Sequence, residues 1–577
     1  MASLAGAEQR ASVVLAPRVW SWDRPVQWLL AIATAALIAF PLAPIVLQSV
    51  LDRPLYDAER AVSLGNYTRI LGSAEFWATL LTTIAFGLLT TALAVGIGTA
   101  LAVVLTRTDV PARLLLHNLV LLPFYVSPLV LAFAWAIVYG PSGFVTLFVR
   151  ANLGLPTWEL YTLGGIALVA AVYFVPYTYL YSTGSLALTD PQLEDAGRIA
   201  GAGPLRVLAA VTLPLLRPAL VYSTLLTLVS SMELLSIPLV LGSPVGIQVL
   251  ASYLYKLGLV GGQGDYGGIA AVSVLMLLVI TGLVWLQLRI TGQERRFVTV
   301  AGKATRGRVL RLGALRWPLA SLIGLYALLG VVLPLVGIVM QSTTAFLSPL
   351  VNPFELLTSQ NYATVLGEAS YVRSITNSLL VSSVGGAIGI LFVALCTLVI
   401  YRSDFPGRRA LAYMALYPRA IPGIIVGIGF LWAFLLLPAI GGMRNTLIAL
   451  TIAFIMRFIP LAYGAVGPSV LRVSPELDRA ARVAGAGWLQ AMVRIMLPIL
   501  RPALLSGFVL LFISFLKEYS SALFLFARGS EVIGTTMIEL WRQGNSGPVA
   551  ALSAIQLAIT FVVLLVGQRV LGARLYG

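Results

Sequence analysis

Twelve runs of about twenty apolar residues fill most of this chain, and a run of that length crosses a bilayer as one helix. Six lie in the first half: Val26–Val50, Phe76–Leu105, Leu114–Tyr139, Thr162–Ala187, Leu215–Leu241 and Gly268–Ile290. Six follow in the second: Trp317–Gln341, Ser374–Tyr401, Ala410–Leu437, Asn445–Val470, Ile499–Phe526 and Pro548–Val570. Several contain Pro or Gly, which membrane helices tolerate where neighbours satisfy the freed backbone groups. Hydrophobic residues make up 59% and charged residues 10% of 577, more apolar surface than a water-soluble core can use. The expected fold is therefore an all-α polytopic membrane protein of about twelve transmembrane helices.

The second half repeats the first. Pro41-Leu-Ala-Pro-Ile-Val-Leu-Gln-Ser49 is echoed by Pro334-Leu-Val-Gly-Ile-Val-Met-Gln-Ser342, and Asn66-Tyr67 by Asn361-Tyr362. Arg107-Thr-Asp-Val-Pro-Ala-Arg113 is echoed by Arg402-Ser-Asp-Phe-Pro-Gly-Arg408. With an even number of spans per unit, the two six-helix repeats run parallel. This gives an N-terminal segment 1–25, a first repeat 26–291, a basic linker 292–316 and a second repeat 317–577.

The linker carries Arg295, Arg296, Lys303, Arg306, Arg308 and Arg311 against one acid, Glu294. Positive loops stay on the cytoplasmic side, so the linker and the N-terminus are expected there. The same bias explains the net charge of +16 without a nucleic-acid partner. Arg10, Arg18 and Arg24 precede the first apolar run with no short apolar region ending in a cleavage site, so no cleavable signal is expected. Cys396 and His117 are the single cysteine and histidine, which excludes disulfides and Cys- or His-based metal clusters.

The longest duplicated stretch lies between the fourth and fifth runs of each half. Leu193 to Leu220 matches Leu477 to Leu504 at Ala196/Ala480, Arg198/Arg482, Ala200-Gly-Ala-Gly203/Ala484-Gly-Ala-Gly487, Leu213-Pro214/Leu497-Pro498 and Arg217-Pro-Ala-Leu220/Arg501-Pro-Ala-Leu504. Pro191 and Pro475 suit a helix start. Spacing of i, i+3 and i+7 then sets Leu193, Ala196 and Ala200 (Leu477, Ala480, Ala484) on one face. Gly201 and Gly203, like Gly485 and Gly487, allow a sharp reversal and a close backbone approach. Each copy reads as an exposed helix-turn-helix.

This pattern resembles the EAA loop of bacterial ABC importer permeases. Asp195-Ala196-Gly197…Gly201…Leu213-Pro214 and Arg479-Ala480-Ala481…Gly485…Leu497-Pro498 fall on it, with Glu194 and Asp478 one residue before the acidic position. The chain as a whole looks like a fused, two-half type I ABC importer permease. The phrases MELLSIPLVLGSPVGIQVL, YPRAIPGIIVGIGF and KEYSSALF make it most similar to the ferric iron group.

The resemblance implies two copies of a cytoplasmic ATPase docked on Glu194, Asp195, Ala196, Gly197, Gly201 and Gly203, and on Asp478, Ala480, Ala481, Gly485 and Gly487. It implies a periplasmic substrate-binding protein on the other face, and residence in the bacterial inner membrane. The chain has no phosphate-binding loop of the G-x-x-x-x-G-K-[ST] type, so ATP and Mg²⁺ are expected in the partner and no cofactor in this chain. It is read as a permease subunit, not an enzyme.

Ionisable residues inside spans are functional candidates, because charge in hydrocarbon is costly. Arg419 and Arg457 fall near mid-membrane, where the first half has Phe124 and Tyr173. Glu233 and Glu518 recur late in the fifth spans, toward the expected outer mouth. They line a translocation path and gate, or they pair within the bundle and hold it together. Tyr253, Tyr255, Lys256, Glu539, Trp541 and Arg542 follow the fifth spans and either receive a binding protein or mark the membrane interface. Other solutes carried by related permeases are phosphonates, thiamine, polyamines and sulfate. A secondary transporter is the reading from another class; twin hairpins in a parallel repeat disfavour it.

Overall fold

The structure is a computed structural model that describes residues 22–188, 191–260, 265–294 and 309–569. Arg10 and Arg18 of the N-terminal segment, and Arg295, Arg296, Lys303, Arg306 and Arg308 of the linker, lie outside the described residues. Among the described residues the chain is helical, with isolated bridges in place of strands. Among the described residues ten helices are long and apolar enough to cross a membrane, or up to 13 if each bent pair is one span.

The repeat landmarks are now explained by bonds. Asn66 donates to the Ser49 and Leu51 carbonyls at 3.3 and 2.7 Å, tying the helix Gly65–Leu71 to the end of Asp23–Ser49. Asn361 does the same at the Gln341, Ser342 and Thr344 carbonyls. Tyr67 and Tyr362 hydroxyls meet Ser49 and Ser342 at 2.8 and 2.9 Å. The sequence landmarks are thus the clamps that close the first loop of each repeat.

Four spans depart from the expected continuous helices. The run Leu114–Tyr139 is broken into Arg113–Tyr125 and Pro128–Tyr139. Pro128 disfavours helical backbone at Ser127, whose extended conformation lets its hydroxyl cap the Leu129 amide at 3.3 Å. The equivalent run Ala410–Leu437 is broken at Ile421-Pro422 into Arg408–Ala420 and Gly423–Leu436, bent by 108°. The fifth spans also stop early: Leu213–Met232 and Arg501–Lys517 end at Glu233 and Glu518. Beyond the first of these, Pro238–Val245 and Leu250–Leu259 meet at 76°.

The halves are interlocked by exchange of their first helices. Asp23–Ser49 packs on Gly423–Leu436 of the second repeat, and Leu333–Thr343 packs on Pro128–Tyr139 of the first. Gly429 lies against the Pro41 carbonyl so closely that a Cβ would overlap it, and Gly337 meets Val138 in the same way. Trp135 donates to the Gly330 carbonyl at 3.1 Å and Tyr139 to the Leu329 carbonyl at 2.7 Å. Buried residues of both halves form one continuous apolar core. Exposed large apolar side chains, among them Leu81, Leu278, Leu322 and Val562, suit faces that meet lipid.

Candidate functional site

Each hairpin begins with a proline-led helix, Pro191–Ile199 or Pro475–Val483. The Ser474 hydroxyl caps the second at the Glu476 amide, 3.2 Å away. Both helices end alike. Gly201 and Gly485 adopt φ of +83° and +88°, the left-handed conformation that an L side chain resists. Their amides bond the Arg198 and Arg482 carbonyls at 2.9 and 3.0 Å, while Ala202 and Ala486 reach back to Gly197 and Ala481 at 3.0 Å. This double closure is the Schellman end. The reversal rests on that backbone sign, and within this chain the space around Gly201, Gly203 and Gly485 is open. A Cβ at Gly487 would stand 3.4 Å from the Asp23 carboxylate.

The two faces of each hairpin helix differ in kind. Leu193, Ala196 and Ala200, with Leu477, Ala480 and Ala484, form an exposed face as the spacing requires. Ile199 and Val483, at equivalent positions, are 88% and 90% exposed. They were not singled out from the sequence, although a branched apolar residue precedes Ala-Gly-Ala-Gly in both copies.

The expected docking acids Glu194 and Asp478 point the other way, into the protein. Glu194 pairs with Arg107 Nε at 3.2 Å and accepts from the Thr212 hydroxyl at 3.2 Å. Asp478 pairs with Arg402 Nη1 at 3.3 Å, and Arg402 also binds the carbonyls of Val470 and Val473. Gly197 faces Val207 and Val211, and Ala481 is buried. Asp195 keeps an outward position beside Arg198 at 3.3 Å. Arg107 and Arg402 are the repeat landmarks noted above, so a visible signal existed for these pairs. Their partners were not legible.

The hairpins are also tied across the repeats. Asp23 caps the second hairpin by accepting from the Trp488 and Leu489 amides, both at 3.0 Å. Residues at the end of the linker bind the loop whose Arg107 anchors the first: the Leu310 amide meets the Arg107 carbonyl at 2.8 Å, and Leu312 donates to Asp109 at 2.8 Å.

The other candidate residues meet in the middle of the bundle. Arg457 pairs with Glu518 at 3.1 Å, and Glu518 accepts from Ser520 Oγ, the Ser521 amide and Ser521 Oγ at 2.9, 2.9 and 3.0 Å. Gly423 leaves the room that the Arg457 guanidinium fills. Arg419 donates to the Tyr222 hydroxyl at 3.2 Å. Glu233 lies within charge–charge range of Arg457, Glu518 and Arg419.

The glutamates therefore belong to the level of the arginines and not to an outer mouth. Counting residues along single helices set them apart from the arginines, because it takes no account of how neighbouring helices cross; Arg457 reaches Glu518 from the helix Leu447–Arg472. For Arg457 and Glu518 the geometry is that of a pair holding the bundle. Lys517, missed in the sequence, enters the same region and donates to the Phe124 carbonyl at 2.8 Å.

At the opposite end, Tyr253 and Tyr255 are buried and Trp541 meets Phe133 at a tilt, with centroids 4.7 Å apart. These aromatics pack the fold, while Lys256, Glu539 and Arg542 remain exposed. Among the described residues no group of three His, Cys, Asp or Glu side chains is placed to hold a metal ion.

The chain has recognisable relatives over most of its length. The family described as binding-protein-dependent transport system inner membrane component matches residues 92–293 and 385–575. The chain is 25% identical to the ferric transport system permease protein FbpB of Actinobacillus pleuropneumoniae, over 93% of this chain and 76% of that protein. It is 28% identical to the protein named ferric transport system permease FbpB 1 in Haemophilus influenzae, over 71% of this chain but only 64% of that protein's length. A solved chain of a bacterial ABC transporter involved in alginate import aligns with 49% of this chain and 98% of its own, at 19% identity and a TM-score of 0.37.

Proposed function

The chain belongs to the family of binding-protein-dependent transport system inner membrane components, and from that premise we propose that it is the fused permease of an ATP-driven ferric iron importer. As a member of that family it is a multi-pass protein of the inner membrane. The iron reading is supported by the two relatives named as ferric transport permeases.

In this reading each hairpin receives one copy of a cytoplasmic ATPase, and that partner binds ATP and Mg²⁺. The hairpin end and the N-terminus face the cytoplasm, and a binding protein delivers cargo from the other side. Repeats 26–291 and 317–577 are the two rocking halves. The observation that carries the docking assignment is the twin Schellman-ended hairpin, with Ile199 and Val483 almost fully exposed at matching positions. Exposed branched apolar side chains on a polar surface gain by entering a partner's groove. Ala196 and Ala480 border them, while Glu194 and Asp478 set the helix orientation from behind. Arg419, Arg457, Glu233 and Glu518 line or brace the path between the halves.

The test is uptake of radiolabelled ferric iron by iron-starved cells. Wild type is compared with a deletion, and with the deletion carrying Gly201→Val and Gly485→Val together. Uptake lost in the deletion and not restored by the double variant supports cargo and docking together. Unchanged iron uptake in the deletion removes ferric iron as the cargo.

A further inference from the structure

The charge at the centre of the bundle is one-sided. Three cations enter it, Arg419, Arg457 and Lys517, and all belong to the second repeat. The first repeat places Phe124 and Tyr173 where the second has the two arginines, and it ends its fifth helix with Met232 where the second ends with Lys517. Two carboxylates, Glu233 and Glu518, lie in charge range of Arg457, and one is already used: Glu518 is saturated by Arg457 and three serine donors. Among the described residues Arg419 and Lys517 make no ion pair. Arg419 has the Tyr222 hydroxyl and lies over its ring at 5.9 Å; Lys517 has the Phe124 carbonyl and lies over its ring at 5.7 Å. Glu233, within charge range of Arg419, makes no ion pair among the described residues.

Neutral oxygen acceptors and ring faces orient a cation without cancelling its charge, and uncancelled charge inside a membrane bundle is costly. Aromatic rings of the first repeat stand beside it in two groups, and together they make a wall. Phe124 meets Tyr177 at 5.2 Å, Tyr177 meets Tyr173 at 6.1 Å, and Tyr181 meets Tyr222 at 4.8 Å. Such a wall offers hydroxyl donors and no further negative charge. An excess of donors over acceptors is the chemistry that receives an oxyanion.

We propose that Arg419 and Lys517 form a transit site for an oxyanion, which crosses either alone or as a ligand of the ferric cargo. The site rests on the importer reading above. It predicts that the halves have different tasks, the second supplying the charge and the first a neutral aromatic surface along which the complex moves.

The experiment follows radiolabelled ferric iron and radiolabelled orthophosphate or citrate into vesicles that hold the permease with its ATPase pair and binding protein. The labels are supplied singly and together. The expected result is that the anion enters with iron. Arg419→Gln and Lys517→Met each lower its influx about tenfold, the loss of one charge-assisted contact. Arg419→Lys restores most of it, and co-purification with the ATPase reports that each variant is folded. Entry of the anion without iron keeps the site and removes ferric iron as cargo. Iron entering alone, at the wild-type rate in both variants, overturns the site and leaves the iron reading standing. Entry of neither label in wild type overturns both.

Discussion

Removing the Arg402–Asp478 pair isolates what holds a hairpin in place. Both side chains are nearly buried, at 7% and 11% exposure, and the carboxylate sits in the first turn of Pro475–Val483. Asp478→Ala would leave the guanidinium with carbonyl acceptors at Val470 and Val473 and no counter-charge. Breaking a buried pair from one side costs about 3–5 kcal/mol. The lower figure applies here, because those carbonyls still satisfy the donors and only the charge is orphaned. A loss of about 3 kcal/mol raises the local opening constant of the hairpin roughly 150-fold.

Amide hydrogen exchange on the purified protein reads that constant directly at Arg482, Ala484 and Ala486, with the first hairpin as internal control. Arg402→Met combined with Asp478→Leu should recover part of the loss, because neither charge is then left alone. Exchange unchanged in Asp478→Ala, or a double variant worse than the sum of the singles, would refute the assignment of this pair as the hairpin's anchor.

Three further outcomes are expected. Gly429→Leu should destabilise the protein by about 3 kcal/mol, since the new side chain meets the Pro41 backbone, which cannot yield; thermal unfolding in detergent checks it, with Gly464→Leu in open space as control. Ile199→Asp and Val483→Asp should each weaken ATPase binding about tenfold in a titration, and leave thermal stability unchanged because both sites are exposed. Burial alone would lift the Glu531 carboxyl, but Arg373 at 3.1 Å and the Gly529 amide at 2.9 Å hold it below the usual carboxylate range. Its contribution is therefore complete above the unfolded pKa of about 4.3 and lost as pH falls through the lower folded value, so protease cleavage within Ala527–Val532 should rise only below about pH 4.

The duplicated architecture was legible because apolar runs and repeated phrases are both linear signals. The breaks at Ser127 and Ile421 were less visible, since an apolar run reads the same whether or not it bends. The prolines after them were the available clue. For the hairpins, glycine placement revealed the shape and helical spacing revealed the exposed face. Neither showed that Glu194 and Asp478 meet arginines at the ends of helices about 80 residues earlier, because such partners are fixed by tertiary packing. The misplaced glutamates show the same limit. Depth counted along one helix says nothing of what the helix beside it brings to that level, and Arg457 meets Glu518 from another span.

The exchanged first helices bear on how the protein is made. Asp23–Ser49 leaves the ribosome early, yet the surface that covers its Pro41 edge, Gly423–Leu436, is synthesised several hundred residues later. Until then the grooved side of the helix must rest against lipid or the insertion machinery, and the first repeat cannot finish as a separate unit. Joining both repeats in one polypeptide keeps the late partner tethered to the early one. Assembly then depends on the order of translation, not on two subunits finding each other in the membrane.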